Sequence, residues 1–278
     1  MEHFKFVGKI IFEAKTPLHI SGIRESNVLY MLRLPDGRLI IPSTSWKGAF
    51  RAIAEKLAPS LPMNEVEKLA VECLLNLKEL SDYCERFKDV IKGSEGIFSL
   101  KGGEKVMETL GKLGYTEDKI KKEKIEDLFK IYLSYHCPIG KLFGNQVWAS
   151  RVRFFDTILS INTERRAGIG VDRYSGTVRD RTLYFVETIA VGIDVPLIMI
   201  GEIYKDTSAK IFASTLEFVK MFGLSIGARK SAGLGNLTIK DAKFYIVDIS
   251  KDTNGKLLAN PFKAEPIDID SFIAWLRS

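Results

Sequence analysis

Alternation and helical periodicity divide the chain into readable elements. Residues 4–14, FKFVGKIIFEA, are rich in β-branched and aromatic positions with partial alternation, the pattern of a strand. Residues 15–45 are rich in turn formers, and PDG at 35–37 predicts a turn between two short strands. The period then changes to 3.6. Over residues 45–58, Phe50, Ile53 and Leu57 fall at i, i+3 and i+7, with Trp46 one turn earlier. Ser43, Thr44 or Ser45 is expected to cap this helix, and Pro59 to close it.

Residues 62–135 change character to Lys, Glu and Leu with helical periodicity, broken by glycines at 93–103, and read as a helical insertion. Strand character returns at 148–159, where Val152, Phe154 and Asp156 oppose Arg153, Phe155 and Thr157. Residues 162–181 are polar, basic and glycine-containing, an exposed excursion. Two strand patterns follow, at 182–192 and 196–204. Next comes a helix over 208–223, with Ile211, Phe212, Leu216, Val219 and Phe222 expected on its buried side. After a glycine-rich stretch, 236–249 reads as a strand, and the tail ends in a short helix at 270–277. With the insertions removed, the order is strand, helix, strand, strand, helix, strand. This predicts an α+β fold with a ferredoxin-like, RRM-like core. The core is assigned to 1–59 and 136–250, the helical insertion to 60–135 and a C-terminal tail to 251–278.

Composition narrows the class. The 278 residues can bury a sizeable core, and 46% hydrophobic against 27% charged residues is the balance of a soluble globular protein. No apolar run reaches membrane-spanning length, and the N-terminal stretch carries charges within its apolar part, unlike a secretory signal. Three cysteines do not make a disulfide framework. A cytoplasmic protein with no membrane partner is expected. The net charge of +6, from 41 Lys and Arg against 35 Asp and Glu, is a mild basic excess that favours a polyanionic partner without requiring one.

Three segments gather candidate chemistry. Residues 224–239, LSIGARKSAGLGNLTI, place Gly227, Gly233 and Gly235 around Arg229 and Lys230. Glycines this dense need a reason, either a tight helix-to-strand turn or a backbone that approaches an anion. The stretch is neither a Walker loop nor a dinucleotide fingerprint, because no GKS/T is present and a strand follows it rather than a helix. STSWKGAFR puts Ser43, Ser45 and Lys47 at a helix N-terminus, where free amides and the dipole suit a phosphate. Gly48 leaves room there and Arg51 lies one turn on. In the excursion, Arg165, Arg166, Arg173, Arg179 and Arg181 offer charge and Tyr174 a stacking face, although an exposed loop also carries charge for solubility. Asp172 and Asp180 are available to pair with these arginines.

Six segments in order carry a family resemblance: PLHISG (17–22), IPSTSWKGAFR (41–51), CPIGKLFG (137–144), SRVRFFD (150–156), GVDRYSGTVRDRTLYFVETI (170–189) and SIGARKSAGLG (225–235). Together they resemble the RAMP superfamily of CRISPR-associated proteins, most closely the repeated backbone subunit of type III effector complexes. The resemblance implies a ferredoxin-like core with a protruding β-hairpin thumb at about 162–181. It also implies binding of CRISPR RNA and target RNA, and head-to-tail assembly with other RAMP subunits. On this reading Ser43, Ser45, Lys47, Arg51, Arg165, Arg166, Arg173, Tyr174, Arg179, Gly227, Arg229, Lys230, Gly233 and Gly235 contact RNA.

Cutting members of the family use an aspartate in the loop after PLHISG, where a carboxylate would hold or orient a metal ion. The matching position here is Asn27, with Glu25 the nearby carboxylate, so weak or absent cleavage is expected. Magnesium would be needed only if cleavage survived, and no other cofactor is expected. The alternative is a RAMP-type endoribonuclease acting on repeat or target RNA, with His19 as a metal-free general acid or base; a structural histidine in the same turn is the other reading. Cys73, Cys84, His136 and Cys137 have the donor types of a zinc site. However, Gly140 stands where the resembled pattern has its second cysteine. Cys73 and Cys84 would lie about 16 Å apart on one straight helix, so they converge only if the chain turns near Ser81 and Asp82.

Overall fold

The computed structural model describes residues 3–75, 103–180, 182–252 and 254–278. In chain order its elements are β1 (His3–Ala14), β2 (Ser21–Glu25), β3 (Val28–Met31), β4 (Leu39–Ile41), α1 (Ser43–Leu57), α2 (Glu65–Leu75), α3 (Gly103–Lys112), α4 (Glu117–Lys122), α5 (Ile125–His136) and α6 (Pro138–Phe143). They continue with β5 (Val152–Phe154), β6 (Thr157–Leu159), β7 (Glu164–Gly168), β8 (Tyr184–Thr188), β9 (Asp194–Tyr204), α7 (Thr207–Phe222), β10 (Leu224–Ser225), β11 (Asn236–Asp248), α8 (Lys256–Ala259) and α9 (Ile269–Arg277).

β1 alternates as its sequence demands, burying Phe4, Phe6, Ile10, Phe12 and Ala14 on one face. It lies at the centre of an antiparallel sheet ordered β10-β11-β1-β9-β5. The order β11-β1-β9-β5, with α1 and α7 in the two crossovers, is the ferredoxin-like arrangement. Gly8 admits the ring of Phe244 from the neighbouring strand; a Cβ there would stand 2.7 Å from it. Phe244 in turn stacks on Phe272 of α9 at 4.0 Å, and Phe6 meets both Phe272 and Phe212 of α7. The terminal helix therefore belongs to the core, with Ile269, Phe272, Ile273 and Leu276 buried.

On the opposite face of this sheet, Val7 and Val247 are also buried. The chain after β11 returns there: a turn at Pro261–Lys263 brings Phe262 edge-on to Tyr245, the cross-strand partner of Val7.

Three readings of the sequence are corrected. The strand expected over 148–159 is two strands in different sheets, β5 pairing with β9 and β6 with β4. Alternation inverts at Asp156, which is exposed while Thr157 is buried, because Asp156 leaves the ladder to accept the Ser43 amide at 2.6 Å. Second, α1 starts two residues early, so Ser43, Thr44 and Ser45 lie inside it. Pro42 holds the N-cap position and makes no side-chain cap. Third, Phe222 is not on the buried side of α7; it is 65% exposed beyond the last core turn.

A second sheet, which the sequence pattern does not predict, is ordered β2-β3-β8-β7. β2 and β3 form a hairpin turning at Ser26 and Asn27. β3 pairs parallel to β8, and β8 pairs antiparallel to β7. The segment between β7 and β8 is an exposed excursion bridged once by Val171 and Val178. Residues 60–135 are helical where described. The breaks at 93–102, Cys84 and Arg181 lie outside the described residues.

Candidate nucleic-acid interface

The start of α1, the PLHISG segment and the glycine-rich stretch meet at one groove of about 500 Å³. Thr44, Ser45 and Gly48 line it from α1, Ser21 from the end of PLHISG, and Gly227 and Lys230 from the glycine-rich stretch. Gly48 is informative because glycine in a helix interior costs about 1 kcal/mol relative to alanine. A Cβ at Gly48 would meet nothing within 4 Å, so the fold itself does not require glycine there. Its absence keeps the groove wall open to a close-fitting occupant. Lys47 precedes Gly48, half-buried and without an ion pair among the described residues.

Part of the expected anion cradle is already used. The Asp156 carboxylate takes the Ser43 amide, and the amides of Ser45 and Trp46 both turn to the Pro42 carbonyl. Charge on this wall therefore comes from side chains more than from free amides. Arg51 points elsewhere: Nε donates to Glu55 at 2.7 Å and a terminal nitrogen to the Gly144 carbonyl at 3.3 Å. It lines a separate cavity of about 290 Å³ together with Cys73 and Cys137.

The three loop glycines have different reasons. A Cβ on Gly227 (φ +87°) would stand 2.3 Å from the His19 carbonyl, which accepts the Ala228 amide. One on Gly235 (φ +80°) would stand 1.9 Å from the Ile226 carbonyl, while its own amide donates to Pro17. These two dock the loop on PLHISG. Gly233 (φ +80°) faces open space and is required only by its left-handed backbone. Between them Arg229 adopts the left-handed region at φ +58°, uncommon for a residue with a Cβ. Its guanidinium lies 4.6 Å over the ring of Tyr184 and donates to that hydroxyl at 2.9 Å. The Tyr184 ring itself lies against Gly168, where a Cβ would approach to 2.3 Å. Gly168, Tyr184 and Arg229 thus join the second sheet to the glycine loop.

The arginines sort into two groups among the described residues. Arg33, Arg38, Arg51, Arg151, Arg179 and Arg277 each pair with a carboxylate. Arg24, Arg165, Arg166, Arg173 and Arg229 do not, and all lie on the second sheet, its excursion or the glycine loop; Arg153, on β5, is the exception. Arg165 sits 5.6 Å over Tyr30. Tyr174 is fully exposed, at the turn that Asp172 organises by accepting the amides of Tyr174 and Ser175 and the Arg179 guanidinium. Those bonds, the Ser175 amide first, hold the Asp172 carboxyl below its ordinary range.

Glu187, which no sequence motif marks, joins β8 to the end of β3, to the loop before β7 and, through its carbonyl, to the PLHISG segment. Burial would raise its pKa, but the Thr163 hydroxyl, the Met31 amide at 2.7 Å and the Arg33 guanidinium outweigh burial and hold it low. Its backbone carbonyl lies 2.7 Å from Nδ1 of His19. His19 is 1% exposed and its pKa is lowered, chiefly by burial, with Arg229 adding to the effect. A ring so enclosed has little reach toward a substrate. Asn27 sits at the β2–β3 turn, its side-chain amide nitrogen donating to the Leu183 carbonyl at 3.4 Å, while its backbone carbonyl accepts the Phe185 amide at 2.7 Å. Glu25 is exposed beside it. An amide so used and a lone exposed carboxylate do not fit a metal-binding pair. Among the described residues no three His, Cys, Asp or Glu side chains are grouped to hold a metal ion. Cys137 instead caps α6, its sulfur accepting the Gly140 amide at 3.3 Å.

No described helix is long and apolar enough to cross a membrane. A family model described as the RAMP superfamily matches residues 11–238. A search of curated proteins returned no match.

Proposed function

Because this chain belongs to the RAMP superfamily, whose members are CRISPR-associated and bind RNA, we propose that it is a guide-binding backbone subunit of a type III RNA-guided effector complex. The observation that carries this reading is the groove where Lys230, Gly48 and the hydroxyls of Thr44 and Ser45 converge from distant parts of the chain. Carboxylate-free arginines lie on elements that line it, Arg24 on β2 and Arg229 on the glycine loop. Cations and backbone fix phosphates there without reading bases, so spacer sequence matters little. The excursion at 162–181 acts as the thumb, with Tyr174 and Arg173 at its exposed turn. Target and guide strands and neighbouring RAMP subunits are its partners, and the subunit cuts weakly or not at all, since Asn27 stands at the position of the family aspartate.

The test uses the full chain and labelled single-stranded RNAs of unrelated sequence across a salt series. Expected are similar affinities that fall steeply with salt, with a log–log slope of about 0.7 for each phosphate neutralised. Strong sequence dependence with little salt dependence would overturn the proposal. Cleavage of repeat RNA in EDTA by the purified chain would favour the endoribonuclease reading instead. The non-cutting part is tested separately in an assembled complex with magnesium, where regular target cuts abolished by Asn27→Ala or Glu25→Ala would refute it.

A further inference from the structure

Strand register places Arg24, Leu29, Val186 and Arg166 in one row across all four strands of the second sheet. Neighbours in a row share a face, so the two exposed arginines flank a centre of half-buried Leu29 and buried Val186 from opposite edges. Three strand spacings separate their backbones by about 14 Å. Tyr184 lies two residues from Val186 on β8 and so shares this face, and Arg229 stacks on it. The glycine loop that carries Arg229 also lines the groove through Gly227 and Lys230. Both row arginines are exposed and make no ion pair among the described residues; Arg24 reaches only the Ser26 carbonyl, at 3.4 Å. Glu164 is the carboxylate on the same face of β7, and it pairs with neither.

We infer that this face is a second phosphate-binding site, continuous with the groove, on which Arg24 and Arg166 hold the backbone of a single RNA strand as it leaves Lys230. Arg229 and Tyr184 form the corner between the two surfaces. The inference rests on the RNA-binding reading above and deepens it. Two like charges flank this face without carboxylate partners, while six other arginines carry them, and their summed charge suits a polyanion that crosses the face. Arg24 enters as a contact residue that its position in a turn-rich stretch concealed.

The test compares the full chain with Arg24→Ala, Arg166→Ala and the double variant, using a labelled uridine homopolymer across a salt series. Arg38→Ala and Arg277→Ala, whose guanidiniums are paired to Asp36 and Glu217, serve as controls. Each row variant is expected to weaken binding several-fold and to lower the salt slope by about 0.7, with the double variant losing about twice that. Arg24→Lys should recover the slope. Coincident thermal melts exclude a folding defect. If the wild type binds and both row variants keep its affinity and slope, or if the controls fall equally, this inference is overturned while the groove stands. If the wild type binds no single strand, the RNA-binding reading falls and this inference with it.

Discussion

At the level of single residues, the glycines separate packing from binding. Gly227→Ala would put a methyl group into the His19 carbonyl and strain a left-handed backbone, and should destabilise the fold by about 2 kcal/mol. Gly48→Ala should do the reverse, adding about 1 kcal/mol of helix stability while weakening RNA binding. Thermal melts paired with anisotropy titrations check both, and a Gly48→Ala variant with unchanged affinity would remove the groove wall from the interface. Glu187→Gln keeps the shape but gives up the charge that Arg33 meets, and should cost about 2 kcal/mol in a urea titration. Since the Glu187 pKa is held low, its contribution is complete above the ordinary glutamate range and is lost as pH falls through the lower folded value. Glycines and cations were legible as a cluster because their spacing is local. Which glycine packs and which lies open was not, because the contacts of Gly227 and Gly235 are with Pro17, His19 and Ile226, not with anything the stretch itself shows.

Among the elements, β1 and β9 were legible because each buries alternate residues over eleven or twelve positions. β2 was not. Its five residues, SGIRE, are all exposed, so no apolar period marks them, and the sheet they join depends on β3 pairing with a strand about 150 residues away. The split at Asp156 was hidden for a related reason: alternation shows which face a residue takes but not when the chain leaves one sheet for another. The helix α5 offers its own test. Burial, helped by Lys141, pushes His136 down to about 4, so the unfolded chain binds a proton first as pH falls. Stability should therefore decline from about pH 6.5 toward pH 4 and level off below, as far as this group is concerned. Hydrogen exchange over α5 at two pH values reads this out. His136→Phe should flatten the trend, and an unchanged slope would assign the acid sensitivity elsewhere.

For the whole molecule, the proposed function places RNA away from the outer face of the ferredoxin-like sheet. Its outer face carries Lys9, Ile11, Ile198 and Ile200, and its half-buried rings already have partners, Tyr204 stacked on His3 and Tyr245 edge-on to Phe262. RNA is expected on the other architecture, the groove and the second sheet. Photo-crosslinking with thiouridine RNA should mark peptides containing Tyr30, Tyr174 or Tyr184 and spare those containing Lys9 or Ile198. Crosslinks confined to the latter would relocate the interface.

The central position of β1 also sets a timetable. His3 finds its partner at Tyr204 and Phe4 at Asp248, so β1, made well before β9 and β11, waits for both before its edges are closed. Until then a long apolar ribbon is open to the wrong neighbour. Nascent chains arrested before Asp194 should accordingly be digested by protease through β1 and captured by chaperones, whereas chains extended past β11 should protect it.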